Sequence, residues 1–183
     1  MSGSPESLRR AVAVFGAQVD ATRPDMWSRP SPCEGWAASD VLGHCVANLR
    51  RLTAVLGGAD LSAPIAPTEG DLTIAWQEAS ADLFGALDAG IPEDRTIQLG
   101  ANVVPVGYLV DGIMRDLVIH TWDVARAVGG DENLPPDAVA DAIAAMALVT
   151  DDLRRPGVYG QVVEVPTDAD DLTRLLALSG RRR

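Results

Sequence analysis

Apolar residues recur every three or four positions through five stretches of this chain, a period that predicts amphipathic helices. The first runs from Ser4 to Ala21, with Leu8, Val12, Phe15 and Val19 on one stripe, and Pro24 closes it. The second runs from Ala38 to Leu56. Its Val41, Leu42, Cys45, Leu49, Leu52 and Leu56 fall within an arc of about 100° at helical pitch. His44, Asn48 and Arg51 lie on one flank of that arc, and Gly57-Gly58 stops the helix. The third, Thr68 to Asp88, carries Leu72, Trp76, Ala79, Leu83 and Leu87 on its stripe.

The fourth helix begins near Pro105, a residue suited to a first helical turn. Val106, Leu109, Val110, Ile113, Leu117, Val124 and Val128 form its stripe, with Asp116 and His120 on the edge. Val118, Ile119 and Trp122 occupy the back, so the helix is apolar nearly all round. Such a helix is covered on more than one side. An extra helix or a second subunit, as in a homodimer, would supply the cover. The fifth stretch, Asp137 to Leu153 after Pro135-Pro136, offers that helix, with Val139, Ile143, Met146 and Val149 or Thr150 in phase.

Between these helices the pattern breaks. Trp27 to Trp36 is a loop rich in Pro, Ser and Gly, and Asp60 to Pro67 is a Pro/Ala-rich connection. Gly90 to Pro92 and Thr96 to Gly100 form an irregular, briefly extended linker. After Pro156-Gly157, residues Gln161 to Pro166 read as extended, and Leu172 to Leu178 as a short amphipathic turn before the tail Arg181-Arg182-Arg183. No internal repeat or low-complexity segment interrupts the chain. The expectation is one all-α domain over 1–183, with a bundle over about 4–130 and a C-terminal extension over about 131–183.

Composition supports helices: 47% of the 183 residues are hydrophobic but only 4% aromatic, so Ala, Val and Leu must build the core. A net charge of -11 argues against a nucleic-acid partner, which needs a basic surface. It also disfavours capture of an anionic substrate unless a local positive charge, such as a divalent cation, intervenes. The opening MSGSPESLRR has no apolar run after its charges, and no stretch reaches the roughly 18 apolar residues of a membrane span. The expected setting is therefore cytoplasmic, away from membranes, with Cys33 and Cys45 as reduced thiols. The two cysteines lack zinc-ribbon spacing.

Asp116 and His120 are four residues apart and share one helix face, and Asp123 continues the stripe. The chain has two histidines, and the other, His44, borders the core stripe of the second helix. Two readings stand. Each histidine is a hydrogen-bonded border residue, or His44, Asp116 and His120 share one divalent metal between two helices of a bundle. Asp123 is a candidate fourth ligand, an acceptor for an imidazole N–H, a general base or a solvated residue. Asp40 is an alternative carboxylate one turn before His44, near a helix start that favours an acid anyway. Cys45 reads as core, and Cys33 as a reactive thiol or a buried small residue. Arg51 and Arg126 are candidates for meeting an anionic substrate or cofactor, against a solvated alternative. Trp36 and Trp122 read as packing rather than substrate stacking.

Three stretches carry a resemblance. PSPCEGWAASDVLGHCVANL, DLVIHTWDVARAVGG and VEVPTDADDLTRLLALSGRRR resemble, in order and spacing, the signatures of the mycothiol-dependent maleylpyruvate isomerase-like family, of the DinB-like superfamily of metal-binding helical bundles. The resemblance implies a DinB-like four-helix bundle with an additional C-terminal helix and a short extended segment. It implies a divalent metal, commonly zinc, held by His44, Asp116 and His120, with nickel, iron or manganese as alternatives. Where the isomerase of this family has a glutamate this chain has Asp116, and the isomerase's C-terminal domain has no room in 183 residues. The expected function is a metal-dependent enzyme that presents an activated thiolate, with mycothiol as cofactor, or an activated water to a small molecule. Thiolate chemistry would give isomerisation or S-transfer, and water chemistry hydrolysis. A non-catalytic metal-binding or structural bundle is the competing class.

Overall fold

The computed structural model describes residues 4–92, 94–154 and 158–183. Helix α1 spans Pro5–Ala21; the Ser4 hydroxyl caps it by accepting from the Ser7 N–H, and Pro5 fits its first turn. It ends where Arg23, next to Pro24, must leave the helical region. Helix α2 spans Ala38–Leu56, as the stripe predicts. Helix α3 spans Leu72–Asp88 and so begins four residues after the expected Thr68. The reason is local: Asp71 accepts from the Thr73 N–H, and a carboxylate cap after a flexible Gly70 sets the first turn.

The linker expected to be irregular and briefly extended is extended at Thr96–Leu99, and that run is one strand of a β-hairpin. Strand β1 (Thr96–Leu99) pairs antiparallel with β2 (Asn102–Pro105), placing Ile97 opposite Val104. Val55, Ile97 and Val106 form a small second core beneath it. Pro105 ends β2 and stands just before α4 (Val106–Val128) rather than inside its first turn.

Helix α5 (Pro136–Met146) is shorter than the expected Asp137–Leu153; it unwinds at Ala147, and Asp151–Leu153 is a separate 3-10 turn. Residues 161–166 form no regular strand, although the Val163 N–H donates to the Ala177 carbonyl. The expected short turn is a helix, α6 (Asp171–Leu178), capped by Asp170. The Pro156-Gly157 break lies outside the described residues.

Helices α1 to α4 make the bundle. Helix α4 packs on both α1 and α2, and α3 packs mainly on α2. The back of α4 is covered by α5, with α6 behind it, so the extra helix comes from the chain itself. Phe15, Leu42, Leu49, Leu83, Leu117 and Trp122 are among the largest fully buried side chains of one continuous core. Among the described residues no helix is long and apolar enough to cross a membrane.

Candidate metal centre

Helix α2 delivers His44, and α4 delivers Asp116, His120 and Asp123 over two turns of one face. The helices pack against each other, so His44 and Asp116 meet across 72 residues of sequence. His44 Nε2 lies 2.9 Å from Asp116 Oδ2, and His120 Nε2 lies 3.4 Å from Asp116 Oδ1. Each imidazole thus addresses a different oxygen of one carboxylate. The rings stand edge to face, with centroids 5.1 Å apart. One donor atom from each of the three residues lies within 4.8 Å of the others.

This arrangement fits a divalent ion: two imidazoles and a carboxylate are good ligands for first-row metals. The amide of Asn48, one turn after His44, adds a donor 3.0 Å from Asp116 Oδ2.

Behind His120 sits a second layer of contacts. Asp123 is fully buried, and its Oδ2 lies 2.8 Å from His120 Nδ1. An N–H donated there makes Nε2, on the Asp116 side, the nitrogen whose lone pair a metal would take once its proton leaves. Arg181 clamps Asp123 with two bonds of 2.7 Å, from Nε to Oδ1 and from Nη2 to Oδ2. The Cys33 thiol donates to Asp123 Oδ2 at 3.4 Å and lies 3.9 Å from His120 Nδ1. Cys33, His120 and Asp123 form a second cluster with metal-ligand chemistry. Arg181 decides against it as a cation site, because its guanidinium already neutralises Asp123 and reaches within 3.6 Å of the Cys33 sulfur.

Electrostatics follow from burial and pairing. Burial pushes the Asp116 carboxyl up, but His120 and His44 prevail and hold it below the ordinary carboxylate range. Burial opposes charge on His120, yet Asp116 and Asp123 outweigh it and raise the imidazole to about 10. Burial likewise opposes charge on Asp123, and the bonds from His120 and Arg181 reverse that and keep it ionised. A proton on His120 occupies the position that a metal cation would take, so metal binding releases it.

Local sequence builds the walls. In the loop before α2, the Ser31 N–H and hydroxyl both donate to the Trp36 carbonyl, and the Ser31 hydroxyl accepts from the Cys33 N–H. Gly35, at φ 77°, makes the turn between them. This tie sets Cys33 beside Asp123 and the Trp36 ring 5.2 Å from that of His44. At the other wall Gly180, at φ 86°, crosses Gly160 so closely that a Cβ on it would lie 2.5 Å from the Gly160 Cα. A cavity of about 550 Å³ lies between, lined by His44, Asp116, His120, Cys33 and Trp36 on one side and Tyr159, Gln161 and Arg181 on the other.

Of the residues singled out in the sequence, His44, Asp116, His120, Asp123, Cys33 and Trp36 come together. Arg51 and Arg126 do not reach this cavity. Arg51 donates to the Leu61 and Ala63 carbonyls, and Arg126 pairs with Glu132 and lies over the Trp122 ring. Asp123 is not free to act as a general base, since both of its oxygens are engaged. Asp40 accepts from the Ala37 N–H at the start of α2. Cys45 is core, and Trp122 is buried with its indole N–H on Glu132. Two other arginines line the cavity: Arg154, which donates to the Gly160 and Leu178 carbonyls, and Arg181, which reaches Asp123. Arg181 stood in the sequence only as part of a charged tail; its place in the third family-like stretch was the one signal.

Residues 8–125 match the family described as the mycothiol maleylpyruvate isomerase N-terminal domain. The chain belongs to this family. It is 29% identical over 177 residues to uncharacterized proteins from two strains of Mycobacterium tuberculosis, covering 94% of this chain and 94% of each relative. The fold resembles the crystal structure of a histidine-to-alanine mutant of the mycothiol-dependent maleylpyruvate isomerase, with a TM-score of 0.60 at 15% identity. The likeness covers 86% of this chain and 72% of that one. The two share a fold, a helical bundle.

Proposed function

We propose that this protein is a divalent-metal-dependent enzyme that uses a low-molecular-weight thiol of the mycothiol type to isomerise, or transfer sulfur to, a small molecule in the cytoplasm. One observation carries the reading: three convergent metal-ligand side chains stand in the wall of a cavity of about 550 Å³. Three protein ligands beside an open space are the pattern of a catalytic site, whereas structural zinc sites are closed by four. The cavity also falls within the ordinary size range for small-molecule sites.

When bound, a divalent ion, with zinc first and nickel, iron or manganese as alternatives, lowers the pKa of a thiol or water and so supplies a nucleophile at neutral pH. His44 and His120 offer Nε2, and Asp116 offers a carboxylate that stays ionised. Asp123 fixes the tautomer and ring orientation of His120, which makes it a positioning residue in this reading. Arg181 keeps Asp123 in place. Trp36 shields the imidazoles from one side.

Metal content of the purified wild type and of His44→Ala and His120→Ala tests the ligand set. The expected result is about one ion per chain in the wild type and loss from both variants. Variants that keep a full complement would overturn it. A panel of electrophilic small molecules assayed with and without mycothiol tests the chemistry. Turnover that needs the thiol supports the reading; thiol-independent hydrolysis supports a metal hydrolase instead, and metal without any turnover a non-catalytic bundle.

A further inference from the structure

Arg115 stands one residue before Asp116 and faces the other way. It is buried at 4% exposure, and it forms no ion pair among the described residues. Its Nη1 donates to the Ala145 carbonyl of α5 at 2.6 Å, and its Nε donates to the Tyr159 hydroxyl at 2.9 Å. Tyr159 is itself 8% exposed, lines the cavity, and feels the charges of both Asp116 and Arg181.

Proton counting gives the pair a direction. A phenol has one proton to donate, and its oxygen here already accepts from Arg115, so that proton points elsewhere. Among the described residues nothing accepts it. With Arg115 holding the oxygen, the phenolic proton is left for what fills the cavity, water or a ligand oxygen. The neighbouring guanidinium carries a full positive charge; among the described residues no carboxylate lies within ion-pair distance of it, and Asp111, one helical turn earlier, feels it only at longer range. A negatively charged ligand oxygen that accepts this proton is favoured over water, because the buried guanidinium behind the phenol attracts it.

We infer that the Tyr159 hydroxyl, oriented by Arg115, is the hydrogen-bond donor for an anionic oxygen, carboxylate or enolate, of the ligand that occupies this cavity. Tyr159 is then a catalytic residue that touches the ligand, and Arg115 a positioning residue. The inference rests on the cavity being the binding site proposed above, but not on the metal.

Oxalate is the probe. Calorimetric titration into zinc-loaded wild type is expected to show saturable binding. Tyr159→Phe should weaken it about ten- to hundredfold, the worth of a hydrogen bond to a charged oxygen, with zinc content unchanged. Tyr108→Phe is the control, because Tyr108 donates to the Leu148 carbonyl and does not line the cavity. A second measurement stands apart from the stability of Tyr159→Phe. With two tyrosines in the chain, 3-fluorotyrosine incorporated into Tyr108→Phe reports on Tyr159 alone by fluorine NMR. Its resonance should shift saturably with oxalate and not with sodium chloride at equal ionic strength. In Arg115→Lys, which keeps the charge but loses the Nε–H, that resonance should move without oxalate and oxalate affinity should fall. Equal affinity of Tyr159→Phe and wild type, a resonance unmoved at saturating oxalate, or no oxalate binding at all would overturn the inference. A protein without zinc would sink the metal reading instead; the fluorine titration then runs metal-free and still decides on Tyr159.

Discussion

Replacing Arg181 by Met tests the coupling between the C-terminal tail and the cluster of His44, Asp116 and His120. In the native structure both Arg181 bonds to Asp123 are 2.7 Å, with side-chain exposures of 15% and 0%. The variant keeps much of the aliphatic stem and removes the charge. Asp123 Oδ1 then loses its guanidinium partner, while Oδ2 keeps His120 and Cys33. Breaking a buried ion pair from one side costs about 3–5 kcal/mol, and partial access of Arg181 to water places this case near 3. At roughly 2–4 °C per kcal/mol for a domain of this size, Tm should fall by about 6–12 °C. Asp123 also orients His120, so zinc affinity should drop about tenfold, the low end for losing a supporting contact. Arg183→Met is the control. Its partner Asp170 is 61% exposed, and a surface pair is worth about 0–1 kcal/mol. Thermal melts and competitive zinc titrations of both variants, with Asp123→Asn and the Arg181→Met/Asp123→Asn double variant, complete the cycle. A coupling energy near zero, or a Tm drop no larger than that of Arg183→Met, would refute the reasoning.

Other consequences can be measured alongside. In metal-free protein, His120 has its pKa raised to about 10, so it contributes stability that is complete below the unfolded value near 6.5. That stability is lost as pH rises towards 10; zinc-loaded protein, with His120 neutral throughout, should not show this loss, and matching urea curves for the two forms would count against it. For the same reason metal uptake should release a proton near pH 7, visible as a buffer-dependent enthalpy in calorimetry. Asp123 behaves oppositely: its lowered pKa gives stability present above about pH 4 and lost on acidification below it. Gly180→Ala should cost about 1–3 kcal/mol, because φ 86° strains a side chain and its Cβ meets Gly160; an unchanged melt would show that the crossing is looser than it stands.

Much of this protein was legible from local pattern. The stripes of α1, α2 and α4 are properties of consecutive residues, and they predicted those helices to within a residue or two. The near-complete apolarity of α4 required cover on its back, which α5 supplies. The meeting of His44, Asp116 and His120 was within reach because the chain has only two histidines, one with a carboxylate a helical turn away. Elements set by side-chain capping or by pairing at a distance were harder. Asp71 starts α3, and β1 exists because β2 lies beside it; neither fact is a periodicity.

What tertiary structure decided is the use made of polar residues. Arg51, Arg126 and Arg181 look alike in a sequence, each a long cation that reaches several ångströms in any direction. Packing spends the first two on backbone carbonyls and a surface pair, and brings the third across 58 residues to Asp123. Asp123 changes accordingly from a candidate base to a buried anchor. Tyr159 carried no signal in its neighbours, because its meaning lies in Arg115, 44 positions away. The sequence by itself determined which helices form and which three side chains could share a cation, since spacing on a helix is a local geometric fact. The tertiary structure alone decided which charges lose water together, and therefore which groups hold the site and which remain free to meet a ligand.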